Sequence, residues 1–244
     1  MGRIKAITKK IFSLLPISLT RNQHYDRLTK KVLSSYLDPG SNCIDVGTHK
    51  GEILALFLTY APQGHHFGFE PIPGLFNELQ EKFKAAPNCK LYQLALADEK
   101  KLSTFNYVTS NPAYSGLQKR KYDRPNEKDM QIQVQTDLLD NLIPADLPIA
   151  FIKIDVEGAE LSVLKGASKI LSRHHPLVVF ECGLGGSDVY GTTPQLVYSF
   201  FSSLQYRISL LDSFILKKPS LTQDQFIHQF DSNANYYFIA HPQE

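Results

Sequence analysis

A short segment, residues 42–52, constrains the fold of this chain more than any other part of its sequence. The mostly apolar run Cys43–Val46 predicts a buried strand of a parallel sheet. Gly47 and Gly51 then enclose a turn, and the apolar residues after Glu52 predict a helix. A strand, a glycine turn and a helix start bring several backbone N–H groups to one place. Because glycine has no side chain, a small polar ligand can approach the backbone there.

Carboxylates at the ends of predicted strands indicate which ligand this turn binds. The nucleotide fingerprint G-x-G-x-x-G and the phosphate loop G-x-x-x-x-G-K-[ST] are absent from the sequence. Asp45 instead lies two residues before Gly47, where its charge would repel a pyrophosphate and attract a cation. Further acids end other predicted strands: Glu70, Asp98, Asp155 and Glu181. S-adenosylmethionine fits this pattern because it carries a sulfonium, an ammonium and a ribose diol. The alternative is a purely structural turn.

The distribution of charge argues against a nucleic-acid enzyme. The whole chain has 26 basic and 24 acidic residues and a formal net charge of +2. Residues 1–31 hold eight of the basic side chains and one of the acidic ones, so residues 32–244 hold 18 basic and 23 acidic ones, a net charge of −5. An enzyme that binds nucleic acid needs a basic face. The sequence therefore predicts no nucleic-acid partner.

Length and cysteine usage predict one principal domain. A chain of 244 residues with 43% hydrophobic content can bury one good core. We expect the principal domain over residues 39–244, preceded by a helical segment over residues 1–38. The three cysteines are far apart and form no C-x-x-C pair, so they predict neither a zinc site nor a disulfide framework. Thiols of this kind are typical of a cytoplasmic protein.

The basic N-terminal segment allows two interpretations. Residues 3–19 alternate basic and apolar side chains up to Pro16 and lack the cleavage site of a signal peptide. Residues 1–20 could make peripheral contact with a membrane as a basic amphipathic helix. They could instead form a lid or packing helix on the domain, which we favour because most amphipathic helices face a core. A second helix is predicted over residues 22–37.

The rest of the chain alternates strands with helices, which is typical of an α/β fold with a parallel sheet. Apolar strands are predicted at 66–70, 90–98, 149–154 and 176–182, and a last antiparallel pair at 206–211 and 236–240. Residues 102–108 and 130–136 alternate apolar and polar side chains, as half-exposed edge strands do. The polar segment 109–129 between them is long enough to indicate a functional loop. Asn111–Tyr114 resembles the N-P-P-Y motif of base-flipping enzymes, but the polar residues before it favour a turn.

Two acids have specific predicted partners in a bound cofactor. Glu70 lies 19 residues after Gly51, close to the spacing of about 20 expected of a ribose-binding carboxylate. An ordinary acid at a helix start is the alternative for Glu70. Asp98 could accept a hydrogen bond from the adenine amino group, or be a solvated turn residue.

Three motifs in the sequence resemble the FkbM family of S-adenosylmethionine-dependent methyltransferases. They are Ile-Asp-Val-Gly-x-x-x-Gly at 44–51, Phe-Glu-Pro at 69–71 and Ile-Lys-Ile-Asp-Val-Glu-Gly-Ala-Glu at 152–160. The resemblance covers residues 24–182. It implies an α/β, Rossmann-like class I methyltransferase fold, with a seven-stranded, mostly parallel sheet and an antiparallel C-terminal hairpin.

The same resemblance implies the residues of the S-adenosylmethionine site. We expect the cofactor to contact Asp45, Val46, Gly47, Thr48, His49, Gly51, Glu70, Pro71, Ala97, Asp98 and Asp155. This chain has Thr48 and His49 where the family usually has Ala-Asn. The departure leaves open how the methionine part is held, and it makes His49 a candidate contact of cofactor or substrate.

The family methylates hydroxyls of sugars, glycans and secondary metabolites, so the resemblance implies O-methyl transfer to a small-molecule or glycan acceptor. A hydroxyl acceptor needs a base or a metal that acidifies it. Asp155 is the first candidate for the base or the metal ligand, because it ends a buried strand at the crevice where open α/β sheets bind ligands. Glu157 and Glu181 follow as catalytic candidates, although Glu157 could simply complement a helix dipole. No histidine cluster has ligand spacing, so the sequence predicts no dedicated metal centre, and whether a divalent metal assists at the acids stays open.

Two other classes of function remain open on the sequence alone. One is an NAD-type oxidoreductase on a similar sheet, although the acidic strand ends argue against it. The other is a non-catalytic binding or membrane-associated protein, which the basic N-terminal segment would serve.

Overall fold

A seven-stranded sheet forms the centre of the computed structural model, which describes residues 20–122 and 126–243. Its strands are β1 (Asn42–Val46), β2 (His66–Phe69), β3 (Cys89–Tyr92), β7 (Ile149–Ile154), β8 (Leu177–Glu181), β9 (Tyr206–Ser209) and β10 (Tyr237–Pro242). Their order is β3-β2-β1-β7-β8-β10-β9. All neighbours are parallel except β10, which runs antiparallel to β8 and β9. This sheet confirms the predicted fold class.

A separate three-stranded sheet carries the two predicted edge strands. β5 (Lys101–Val108) and β6 (Asp129–Asp137) pair antiparallel, and β4 (Ala95–Leu96) lies parallel to the end of β6. The prediction of one strand over 90–98 is wrong. The chain leaves the large sheet after Tyr92, and Ala95 pairs with Thr136 of β6 instead. The chain therefore passes from the large sheet to the small one at residues 93–94 and returns between β6 and β7, over residues 138–148.

Helices cover both faces of the large sheet. They are α1 (Arg21–Tyr36), α2 (Glu52–Tyr60), α3 (Pro73–Lys82), α4 (Leu139–Leu142), α5 (Glu160–Gly166), α6 (Ser168–His174), α7 (Pro194–Ser203), α8 (Leu211–Ile215) and α9 (Gln223–Asp231). The sequence predicts one helix after β7, whereas the structure has α5 and α6 joined at Ala167. Helices α8 and α9 were not predicted.

Alternation along the strands decides which side chains meet which helices. Ile44 and Val46 of β1 belong to the larger apolar core, which includes residues of α5, α6, α7 and α9. Cys43 belongs to the other core, which includes residues of α1, α2 and α3. Because side chains alternate between the two faces of a strand, Asp45 shares the face of Cys43. The carboxylate that precedes the glycine turn therefore lies on the side of α1.

Helix α1 packs onto the domain. A capping box at Thr20 and Gln23 begins it, and Val32 and Leu33 are buried in the same core as Leu54 of α2. Residues 1–19, on which the lid and membrane-contact predictions fall, lie outside the described residues. Nowhere in the described parts of the chain is a helix both long and apolar enough to cross a membrane.

Candidate active site

The turn after β1 brings two strand ends together. Gly47 has φ +78°, and a Cβ placed there would lie 1.9 Å from the carbonyl oxygen of Asp155. No L-residue fits without moving the backbone of that strand end. The Thr48 hydroxyl donates to the Asp45 carbonyl and accepts from Phe69 N, at 2.9 Å each. The turn is thus fixed to β2 by a buried side chain.

Glu70 closes the same turn from the end of β2. One carboxylate oxygen accepts from His49 N and the other from Ile72 N, both at 2.9 Å. The side chain is only 4% exposed. Burial raises the pKa of Glu70 to about 7, although its two backbone hydrogen bonds act in the opposite direction. Each oxygen keeps a second lone pair for a ligand hydroxyl.

A first cavity of about 160 Å³ lies beside Glu70. Seven predicted site residues line it: Val46, Gly47, His49, Glu70, Pro71, Asp155 and Glu157. Its other walls are mostly apolar. They come from the segment Leu94–Leu96 and from the three-stranded sheet and its loop, including Phe105, Pro112 and Leu117. This combination of one buried carboxylate and apolar walls suits a nucleoside.

A second cavity of about 570 Å³ lies under helix α1. The predicted site residues Asp45, Gly47, Thr48, His49 and Asp155 line it, together with charged residues of α1 and Lys153. Asp45 is 1% exposed, and its Oδ2 has no hydrogen-bond partner among the described residues. Burial raises the pKa of Asp45 to about 7. Gly47, His49 and Asp155 line both cavities, so the cavities adjoin at these three residues.

Asp155 is held by a network from three strands. Lys153 Nζ lies 2.7 Å from Asp155 Oδ2, and the Tyr237 hydroxyl donates to the same oxygen. Burial would raise the pKa of Asp155, but the charge of Lys153 and hydrogen bonds from Lys153, Tyr237 and Glu181 outweigh it and lower that pKa. Burial and the charge of Asp155 instead raise the pKa of Glu181 well above its ordinary value. Asp155 is therefore ionised at neutral pH, while the raised pKa of Glu181 favours its protonated form.

The three catalytic candidates do come together. Asp155, Glu157 and Glu181 each offer an oxygen within 4.8 Å of the others, which is close enough to hold a metal ion. Two cations already balance this cluster. Lys153 pairs with Asp155, and Arg120 pairs with Glu157. Arg120 also lies over the Tyr114 ring, 4.7 Å from its centroid, so the loop after β5 reaches the cluster.

Four predicted site residues lie outside these two cavities. Gly51 packs against α3 instead, since a Cβ there would meet the Phe83 and Leu79 side chains. Asp98 is exposed and bonded to the Ser162 hydroxyl of α5 at 2.7 Å, and Ala97 precedes it. The chain leaves the large sheet at residues 93–94 and the segment Leu94–Leu96 still lines the first cavity, but Ala97 and Asp98 follow that segment and do not line it. Glu181 lines neither cavity, although it contacts Asp155.

Three residues that contact the predicted acids were not predicted as site residues: Lys153, Tyr237 and Arg120. Lys153 had a visible signal, because a lysine stands between Ile152 and Ile154 in an otherwise apolar strand. A buried lysine of this kind needs an anionic partner. Tyr237 and Arg120 carried no comparable signal, since each lies in its own segment and reaches Asp155 or Glu157 only through the tertiary fold.

The fold and the crevice together define a class of protein. A parallel sheet with one reversed strand near its C-terminal edge, with acids at the carboxyl ends of the strands, is the architecture of Rossmann-like methyltransferases. A model of the Methyltransferase FkbM domain matches residues 45–208, more than half of the chain. The protein belongs to this methyltransferase family. A comparison with functionally curated proteins gave no match.

Solved structures support the fold. The methyltransferase FkbM from Methylobacillus flagellatus KT superposes with a TM-score of 0.52 at 18% identity, over 84% of this chain and 44% of that one. This chain therefore spans less than half the length of that protein. SMU.1697c from Streptococcus mutans, solved in complex with SAH (S-adenosylhomocysteine), has a TM-score of 0.50 at 14% identity, over 89% of this chain and 97% of that one. At these identities the similarity concerns the fold alone.

Proposed function

We propose that this protein is an S-adenosylmethionine-dependent methyltransferase that O-methylates a hydroxyl of a sugar, another glycan or a secondary metabolite. One observation carries the proposal: two cavities adjoin at Gly47, His49 and Asp155. The lining of the first cavity suits a nucleoside, and the second cavity is highly charged. Family membership supports the reaction class. The net charge of −5 over residues 32–244 supports a small-molecule or glycan acceptor and no nucleic acid.

The residues present fit the proposed cofactor. The buried Asp45 Oδ2 has no partner in the described residues, and an ammonium would supply one. Glu70 has lone pairs for two ribose hydroxyls, and the apolar segment Leu94–Leu96 suits an adenine face. Gly47 leaves the approach to the backbone open. When bound, S-adenosylmethionine supplies an electrophilic methyl group on a sulfonium.

On this proposal, Asp155 accepts a hydrogen bond from the acceptor hydroxyl and orients its oxygen. Lys153 and Tyr237 occupy Oδ2 and keep the carboxylate ionised, so it can take up the hydroxyl proton when the oxygen is methylated. The raised pKa of Glu181 favours its protonated form, in which it donates to Asp155 and fixes the orientation of that carboxylate. Glu157 has a supporting role because Arg120 neutralises it. Orientation of this kind lowers the entropic part of the barrier.

Binding of S-adenosylhomocysteine, measured by calorimetry, tests the proposal through Glu70. We expect the wild-type protein to bind it and Glu70→Ala to weaken binding by roughly 1.5–3 kcal/mol, the range for hydrogen bonds to a charged group. Because His49 N and Ile72 N lose their acceptor, the variant should also lose about 1–3 kcal/mol of stability. The thermal midpoint of each protein must therefore be recorded, with binding measured well below it.

The control for this experiment is Glu78→Ala, which removes an exposed acid from the same region without touching either cavity. It should leave binding unchanged. Unchanged affinity in Glu70→Ala would return Glu70 to the role of a helix-start acid. A wild-type protein that binds NAD but not S-adenosylhomocysteine would overturn the proposed function in favour of an oxidoreductase.

Stability should fall as the pH rises from about 5 to about 7.5. Burial strongly raises the pKa of four carboxyl groups: Asp45, Glu70, Glu160 and Glu181. Burial also raises the pKa of Asp26, by less. In this window the unfolded chain has already released these protons, whose ordinary pKa is about 4, while the folded protein retains them. Each group then contributes a loss of up to about 1.4 kcal/mol per pH unit. The lowered pKa values of His49 and His66 oppose this trend, but they are fewer.

Urea unfolding at several pH values measures this effect. The free energy of unfolding should be greater at pH 5.5 than at pH 7.5, and Glu70→Gln should flatten the dependence because one titrating group is removed. A free energy of unfolding that rises steadily across this window would contradict the assignment of these carboxyls as buried and protonated.

A further inference from the structure

Helix α1 brings charge of both signs to the second cavity. It contributes Asp26, Arg27 and Lys30 to the lining, opposite the sheet residues Asp45 and Lys153. The helix precedes the segment that matches the family, residues 45–208, so family membership assigns no role to it. A ring contact fixes helix α1 to the sheet: Tyr25 stacks on Tyr237 of β10, with 5.1 Å between the ring centroids. Tyr237 in turn donates to Asp155 at the junction of the cavities.

The charges in this cavity are only partly balanced within the protein. Lys153 is committed to Asp155 at 2.7 Å. Asp45 presents a buried oxygen without a partner, which calls for a hydrogen-bond donor in the cavity. Within the described residues, no ion pair involves Lys30.

The cavity therefore has a buried carboxyl acceptor on the sheet and two cationic side chains on α1, Lys30 and Arg27, of which Arg27 already contacts His24 Nδ1 at 3.1 Å. The acids Asp26 and Glu52 also line the cavity. This mixture of acceptors and cationic donors matches a ligand carrying both an ammonium and a carboxylate.

We infer that Arg27 and Lys30 of helix α1 bind the carboxylate of the cofactor's amino-acid end, whose ammonium is received by Asp45. This inference rests on the proposed function and adds a recognition element from outside the family-matched segment. The adjoining cavities support it, since a ligand whose nucleoside part lies beside Glu70 can extend past Gly47 and His49 into the charged cavity. An Arg and a Lys one helical turn apart offer several donors to one carboxylate.

Calorimetry with two ligands that differ only in this carboxylate tests the inference. S-adenosylmethionine and decarboxylated S-adenosylmethionine are titrated into the wild-type protein, Lys30→Met and the double variant Arg27→Met/Lys30→Met. The wild type should prefer the intact ligand by about 10-fold or more, as expected for a charge-assisted contact. The double variant should bind both ligands within about 2-fold of each other, because their only difference has lost its partner. The preference of Lys30→Met for the intact ligand should lie between those of the wild type and the double variant.

Lys31→Met is the matched control, since Lys31 is an exposed neighbour on the same helix that does not line the cavity. It should keep the wild-type preference. Equal weakening of both ligands in the double variant, or an undiminished preference for the intact one, would overturn the inference while the proposed function stands. A wild-type protein that binds neither of these ligands nor S-adenosylhomocysteine would overturn the proposed function, and this inference with it.

Discussion

Lys153→Met is expected to lower the free energy of unfolding by about 3–5 kcal/mol at pH 7, the usual result of removing one partner of a buried ion pair. Lys153 is only 6% exposed and hydrogen-bonds Asp155 at 2.7 Å. Its Cα pairs across the strands with that of Asp45, a second buried acid. Methionine keeps the volume but leaves these carboxyls without a counter-charge. Urea unfolding followed by circular dichroism measures the change.

The matched control is Lys101→Met, which removes an exposed lysine that also pairs with a carboxylate, Glu99. We expect it to change the free energy of unfolding little, because exposed ion pairs contribute little to stability. The free energy of unfolding lost in Lys153→Met should be smaller at pH 5. Without the lysine, the buried carboxyls Asp45 and Asp155 take up protons more readily, and a protonated carboxyl needs no counter-charge. Combining it with Asp155→Asn should recover part of the stability. A loss for Lys153→Met no larger than that of the control would show that the buried acids do not depend on this lysine.

Asp155→Asn is expected to lower methyl transfer by on the order of 100-fold or more while changing cofactor affinity only a few-fold. Asparagine keeps the size of the side chain and can still accept from Tyr237, but it cannot take up the acceptor's proton. Turnover is measured with radiolabelled methyl donor and a panel of sugars, glycans and other hydroxyl compounds. Affinity for S-adenosylhomocysteine is measured on the same preparations. Separation of the two effects would place Asp155 in the chemical step.

Glu157→Gln provides the comparison within the same cluster. Arg120 neutralises Glu157, so this variant should lose less turnover than Asp155→Asn. An Asp155→Asn variant that loses cofactor affinity and turnover in proportion would show that Asp155 tethers the cofactor and has no separate role in chemistry. Restoration of wild-type turnover by a divalent cation, in either variant, would indicate that the acidic cluster holds a metal.

The local patterns of the sequence determined most of the central sheet. Apolar runs located β1, β2, β7, β8 and the final antiparallel pair, because a buried strand has apolar side chains at consecutive or alternating positions. The glycine turn after β1 was equally readable, since a positive φ and the close approach of Asp155 both require Gly47. The positions of Glu70 and Asp155 at strand ends followed from the same local rules. Even α9, which was not predicted, has a local start signal in the capping box of Thr222 and Gln225.

Only the tertiary structure decided which of the acids share a site. Asp98 lies exposed just beyond the segment Leu94–Leu96 of the first cavity and accepts from Ser162, so its contact with the cofactor stays a prediction. The chain changes sheets just before Asp98, and no local pattern encodes that change of partner. Tyr237 reaches Asp155 across 82 residues of sequence because β10 pairs with β8. Helix α1 completes the second cavity in the same way. Periodicity reports whether a residue is buried, whereas its neighbours depend on strand pairings between distant segments, which have no signature in either segment alone.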